Sequence, residues 1–268
     1  MNYGLVALFG SGEISPTGRK IHDFLFSKLP SPVKVAILAT PAGFQPNVEV
    51  VSAEIKQFLE QHLQNYHPQI SVVHAHKKGM RGFDPNDPQV VEPILAADYI
   101  FAGPGSPTYA VRNLKNTLAF NHITKGHREG VTLSIASAAA IAMGEATLPV
   151  YEIFKAGADL YWEEGLNLFS NFGMSLAIVT HWNNQEGGRK MDTSRAYMGE
   201  ERFEDLRKLL DRQIVILGID EMTACIFDFE KEHCLVMGKG GVTIVRGTKE
   251  INFESGSDFS FDKLYSKI

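Results

Sequence analysis

Val131-Thr132-Leu133-Ser134-Ile135-Ala136-Ser137-Ala138-Ala139-Ala140-Ile141-Ala142 changes character at Ser137. The first half is apolar and β-branched, the composition of a strand buried on both faces. The second half is dominated by alanine, the strongest helix former. A strand that turns into a helix at a serine with small neighbours has the layout of a nucleophile elbow. The free N–H groups of the helix start would face whatever sits above that serine. A plain strand–helix junction that happens to carry a serine is the competing reading.

Working outward, the same alternation repeats along the chain. Leu5 to Phe9 reads as a buried strand closed by Gly10-Ser11-Gly12-Glu13. Helical spacing of Ile21, Phe24, Leu25 and Leu29 follows and stops at Pro30. Val33 to Thr40 is a second strand. Asn47 is placed to cap a helix whose Val48, Val51, Ile55, Phe58, Leu59 and Leu63 share one face. Ile70 to His74 and Tyr99 to Ala102 are further strands, the latter ending in Gly103-Pro104-Gly105. Strands alternating with helices of these lengths predict an α/β fold with a mostly parallel sheet. Ser175 to Val179 adds another strand. Ile214–Ile219, Ala224–Phe229, Cys234–Met237 and Val242–Arg246, joined by short turns, predict a mixed or antiparallel extension of that sheet. The last twenty residues are polar and weakly patterned. No linker divides the chain, so residues 1–268 are expected to form one domain.

Bulk properties narrow the function. The 268 residues are 44% hydrophobic and 21% charged, with net charge −5 and no basic stripe. That argues against a nucleic-acid or anionic-membrane partner. No apolar run approaches the roughly 18 residues of a membrane span. The first apolar run is too short for a secretion signal and lacks a basic flank. The two cysteines, Cys225 and Cys234, show no metal or redox spacing. A cytoplasmic chain without metal or cofactor is the expectation, and a homodimer its expected assembly if it is not a monomer.

Ligands of open parallel sheets gather beyond the carboxyl ends of the strands. Ser137 and the glycine-rich turns lie at such ends. A serine nucleophile needs a base, and the base an orienting acid. Of nine histidines, His181 follows the strand Leu176 to Val179 at the same sheet edge. His22, His62, His67, His122 and His127 have polar neighbours and read as surface residues, and His74 and His76 flank the end of the third strand. Glu152, between Ser137 and His181, gives the chain order Ser–Glu–His and is the first candidate acid. A salt bridge to Lys155 is its structural alternative and Asp192 the reserve acid. The Ala138 and Gly105 N–H groups are candidate oxyanion donors. Trp182, Asn183, Asn184 and Arg195 could hold a small peptide-like or polar substrate, and Arg195, Arg202 and Lys155 could receive a carboxylate.

Several of these stretches together resemble peptidase family S51, which includes cyanophycinase and the aspartyl dipeptidases. They are Gly10-Ser11-Gly12-Glu13, Val35 to Thr40, Gly103-Pro104-Gly105, Ala136-Ser137-Ala138-Ala139-Ala140 and His181-Trp182. Leu217 to Ala224 and Val236 to Val245 are similar to the cyanophycinase side of that family. The resemblance implies a three-layer sandwich of the class I glutamine amidotransferase-like type. It also implies a Ser137–His181–Glu152 triad and cleavage of a peptide or isopeptide bond near an acidic residue, without metal or cofactor. The chain departs from the family at the elbow, where Ile135 and Ala139 stand in place of glycines, and at Val179, where an acidic residue is usual. Ile135 motivates a second expectation, a catalytically inactive glutamine amidotransferase-like protein that binds a small polar ligand. Ser137 and Asn183 argue against a true glutamine amidotransferase, since they occupy the places of its cysteine and glutamate.

Overall fold

The structure is a computed structural model that describes residues 3–265. Strand β1 (Val6–Phe9) leads through the glycine turn into α1 (Pro16–Phe26), capped by the Ser15 hydroxyl accepting from the Gly18 N–H. β2 (Lys34–Leu38), α2 (Val48–His62) and β3 (Gln69–Val73) form the next crossover. Asn47 occupies the N-cap position of α2, but its side chain makes no capping bond. α3 (Pro88–Leu95), β4 (Tyr99–Ala102), α4 (Pro107–Leu114) and α5 (Leu118–Arg128) lead to β5 (Thr132–Ala136) and α6 (Ala138–Ala142). Short pieces β6 (Ala146–Thr147), α7 (Val150–Phe154) and β7 (Glu163–Glu164) precede β8 (Leu176–Val179) and α8 (Glu200–Leu209). Six strands finish the chain: β9 (Val215–Ile219), β10 (Thr223–Asp228), β11 (His233–Gly238), β12 (Gly241–Arg246), β13 (Lys249–Glu254) and β14 (Asp258–Ser260).

These strands make two sheets, ordered β14-β11-β10-β1-β5-β4-β2-β3 and β13-β12-β9-β8-β6-β7. In the first, β1, β5, β4, β2 and β3 run parallel, and β10 joins β1 antiparallel. In the second, β8 and β9 are parallel neighbours and β12 closes antiparallel on β9. The antiparallel extension expected of the C-terminal strands is therefore shared out. β10 and β11 complete the first sheet, whereas β9 and β12 belong to the second. The weakly patterned tail supplies β13 and β14. Most β13 side chains are exposed, so it carries little apolar pattern.

Strand alternation explains why the central strands are apolar throughout. Val6 and Leu8 of β1 join a core with Leu133, Ile135, Leu176, Ile178, Leu217 and Ile219, which links the two sheets. Ala7 and Phe9 point the other way, into a second core with Ile21 and Leu25 of α1 and Ile55 and Leu59 of α2. A third core holds Ala177, Val179 and Ile216 against Phe203 and Leu206 of α8. Each buried leucine- or isoleucine-sized side chain contributes roughly 1.5–3 kcal/mol. Two histidines read as surface residues are in fact core. His22 and His127 are buried, with ring nitrogens 2.6 Å from Tyr99 Oη and 3.0 Å from the Gly4 carbonyl oxygen. Among the described residues no helix is long and apolar enough to cross a membrane.

Candidate active site

Ser137 stands at the turn from strand to helix. Between β5 and α6 the serine adopts φ 51° and ψ −120°, a conformation L-residues rarely take. Such strain persists only where the surroundings fix it. Here β1 holds the turn, the Phe9 carbonyl accepting from the Ser137 N–H at 3.0 Å. Ile135, where the resembled family has glycine, lies opposite Leu8 and Ala102 and is absorbed in the core that includes Ala139 and Ala140.

Ser137 Oγ lies 3.1 Å from His181 Nε2. His181 follows β8 in a second left-handed conformation, φ 50°, its N–H directed to the Gly10 carbonyl. The ring's other nitrogen, Nδ1, lies 2.9 Å from Glu221 Oε1. A carboxylate only accepts, so Nδ1 carries the proton and Nε2 faces the serine hydroxyl as acceptor. The same Glu221 oxygen accepts from Asn184 Nδ2 at 2.7 Å, and the Glu221 N–H donates to Asn183 Oδ1 at 2.9 Å. The contact with His181, reinforced by the Asn184 amide, holds the Glu221 carboxyl below its ordinary range, against the opposing effect of burial.

The acid beside His181 is thus Glu221 and not Glu152. Glu152 sits on α7, and its Oε1 accepts from Thr108 Oγ1 at 2.6 Å. Asp192 is occupied as well: its carboxylate accepts from the Ser194 and Glu200 N–H groups and anchors the start of α8. Glu221 escaped the sequence reading because its placement is non-local. β8 and β9 are parallel neighbours, with Val179 beside Gly218, so the residues after both strands meet at one edge. The usable signal was a carboxylate, Asp220-Glu221, just past a strand end. A further acid stands near the ring. Glu13 is buried in the first glycine turn, close enough for the His181 charge to act on it, and burial pushes its carboxyl up.

A cavity of about 320 Å³ opens over the serine, lined by Ser137, His181, Gly105, Ala138, Tyr151, Lys155 and Tyr197 among others. Both expected oxyanion donors, Gly105 and Ala138, border it. Gly105 is required where it stands. A Cβ there would lie 1.9 Å from the Pro41 carbonyl oxygen, and its φ is +149°.

The four residues expected to hold substrate do not line this cavity. Trp182 is buried edge-on to Phe203, under the Arg195 guanidinium 3.9 Å from its ring centroid. Arg195 also donates to the Trp182 carbonyl, and Arg202 to the carbonyls of Met198 and Tyr197. Asn183 and Asn184 are engaged with Glu221. The polar loop folds on itself and braces the His181–Glu221 pair. Of the three cations considered for a carboxylate, Lys155 alone faces the cavity.

No protein-family model matches the chain, and no curated protein matches it. Solved structures do. A crystal structure of a peptidase from an acI-B1 Actinobacterium superposes with a TM-score of 0.76 at 22% identity, covering 97% of both chains. A candidate peptidase E protein from Listeria monocytogenes EGD-e superposes with a TM-score of 0.55 at 14% identity, over 94% of this chain and 98% of that one. The chain therefore has a peptidase E-like fold.

Proposed function

We propose that this chain is a serine hydrolase that cleaves a peptide or amide bond through Ser137, His181 and Glu221. The observation that carries the reading is the unbroken chain of contacts from Ser137 Oγ through the His181 ring to Glu221, opening on a cavity at the strand ends. His181 Nε2 accepts the serine proton as Oγ attacks the substrate carbonyl carbon, and Glu221 stabilises the imidazolium that forms. The oxyanion is received by the N–H groups of Ala138 and Gly105. His181 then protonates the leaving amine, and a water activated by the same nitrogen releases the acid and restores the serine. The peptidase-like fold supports this reaction class. Lys155 supports a substrate carrying a carboxylate near the scissile bond.

The ligand-binding alternative is less well supported: Ile135, its motive, lies among core side chains, and the loop residues it would use are engaged with Glu221 and with each other. A fluorophosphonate probe tests the proposal. Wild type should be labelled at Ser137 and Ser137→Ala not at all, with dipeptide hydrolysis lost in parallel. Hydrolysis undiminished in Ser137→Ala would overturn it.

A further inference from the structure

A second cluster of chemically capable side chains lies outside the cavity, and it stands independently of the proposed hydrolase reading. The α2 crossover connects two adjacent parallel strands, β2 and β3, so the start of α2 and the end of β3 lie at the same sheet edge. Glu49 is in the first turn of α2. His74 and His76 follow β3, and their ring centroids lie 5.8 Å apart. Glu49 Oε1 lies 3.2 Å from His74 Nδ1 and 3.7 Å from His76 Nε2, and the three potential ligand atoms fall within 4.8 Å of one another.

A zinc ion holds nitrogen and carboxylate ligands at roughly 2.0–2.2 Å, which sets tetrahedral ligand atoms about 3.3–3.5 Å apart. The two separations from Glu49, 3.2 and 3.7 Å, bracket that spacing. A second observation points to a ligand. His76 is only 5% exposed, and its buried Nε2 has no hydrogen-bond partner. The ring is held in place by stacking on Phe83, at 4.6 Å between centroids and 20° between planes. Its backbone is fixed by the Phe83 carbonyl, which accepts from the His76 N–H at 2.8 Å, and by the Tyr109 hydroxyl, which donates to the His76 carbonyl at 3.1 Å. A buried nitrogen aimed at a carboxylate, on a ring that cannot turn away, is a preformed ligand.

We infer that Glu49, His74 and His76 form a binding site for one borderline divalent cation of the zinc type, with a fourth position left open. Two imidazoles and one carboxylate favour Zn²⁺ over Mg²⁺ or Ca²⁺, which prefer all-oxygen shells. The site would tie the start of α2 to the end of β3. It would also brace the cavity wall from behind, because Tyr109 packs on Phe44 and Phe44 on Tyr151.

The test is calorimetric titration of chelator-treated full-length protein with ZnCl₂, with a chromophoric chelator as competitor. One equivalent per chain is expected, with Mg²⁺ and Ca²⁺ failing to compete. Glu49 and His74 are well exposed, so Glu49→Gln and His74→Ala should fold normally, as checked by circular dichroism without metal. Each should weaken zinc at least tenfold while fluorophosphonate labelling is unchanged. His181→Ala should keep the full equivalent, which separates this site from the serine-bearing one. Absence of a stoichiometric equivalent, undiminished affinity in the Glu49→Gln/His74→Ala double variant, or loss of the equivalent in His181→Ala would overturn the inference.

Discussion

His181 Nδ1 and Glu221 Oε1 are 2.9 Å apart, although the residues are separated by the whole of α8 and β9. The pair exists because β8 and β9 lie side by side, and it orders the groups along the chain as Ser137, His181, Glu221. In the proposed hydrolase Glu221 is the orienting acid, which fixes the imidazole tautomer and supports positive charge on the ring.

Exchanging that acid for its amide separates the two glutamates. Glu221→Gln keeps the volume but removes the charge and can hold the ring in the wrong tautomer. Turnover should fall about 10²- to 10⁴-fold with little change in KM. Glu152→Gln still offers an acceptor to Thr108 Oγ1 and should keep turnover within about threefold. Steady-state kinetics on one peptide substrate decides the matter. Equal losses in the two variants would refute the assignment of Glu221.

Asn184 is the support for this arrangement. It is 1% exposed, donates to Glu221 Oε1, and accepts from the Glu186 N–H through Oδ1. Asn184→Ala strands the Glu186 N–H, at a cost of about 1–3 kcal/mol where buried, and leaves Glu221 Oε1 with His181. It also withdraws one of the contacts that lower the Glu221 carboxyl, which should then titrate closer to its ordinary range. The carboxylate, and the stability it confers on the folded state, would be lost at a higher pH as the solution is acidified. Carbon-detected NMR of the Glu221 carboxyl checks the direction. A midpoint unchanged from wild type would show that Asn184 does not tune it.

The difference between Ser137 and Glu221 is the difference between local and non-local information. The strand–helix junction at Ser137 was legible because a β-branched run, a serine and an alanine run are contiguous, and each half favours its own backbone. His181 was legible as a residue at a strand end. Glu221 depends on which strands become neighbours, and the C-terminal strands divide between two sheets in a way no local pattern encodes. Trp182 and Arg195 misled in the opposite sense. An aromatic and a cation in a polar loop look like a ligand site, yet here they satisfy each other and the loop's own carbonyls. His22 and His127 were missed because residue type conceals burial when a backbone carbonyl or a tyrosine hydroxyl is the partner.

In the proposed hydrolase, Lys155 is the group that would read a substrate carboxylate. Its Nζ lies 4.9 Å from the Phe154 ring centroid, and it borders the space over Ser137. Lys155→Met keeps the length and apolar stem. For substrates with a carboxylate beside the scissile bond KM should rise about tenfold, the value of one charge-assisted contact of ~1.4 kcal/mol, with turnover nearly unchanged. For the corresponding amide-capped substrates KM should not move. A similar loss on both would mean that Lys155 shapes the cavity rather than reads a charge.

Two of the buried histidines, His22 and His127, make the fold sensitive to mild acid. Burial lowers both His22 and His127 to about 4, from an ordinary value of 6.5. In the unfolded chain each takes up a proton as pH falls through about 6.5, while in the folded chain each stays neutral until about 4. The unfolded state therefore binds more protons across that window, and folding stability falls as pH falls from about 6.5 to about 4. Each histidine contributes on the order of 3 kcal/mol over the full interval. Glu13 works in the other direction, because its raised carboxyl binds a proton more readily in the folded state, and it offsets part of the loss near the lower end. Urea unfolding at pH 7 and pH 5 should show a drop of several kcal/mol. NMR should find both imidazoles neutral in the folded protein at pH 5. Ordinary midpoints near 6.5 for either ring, or equal stability at the two pH values, would contradict the burial of these side chains as the source of acid lability.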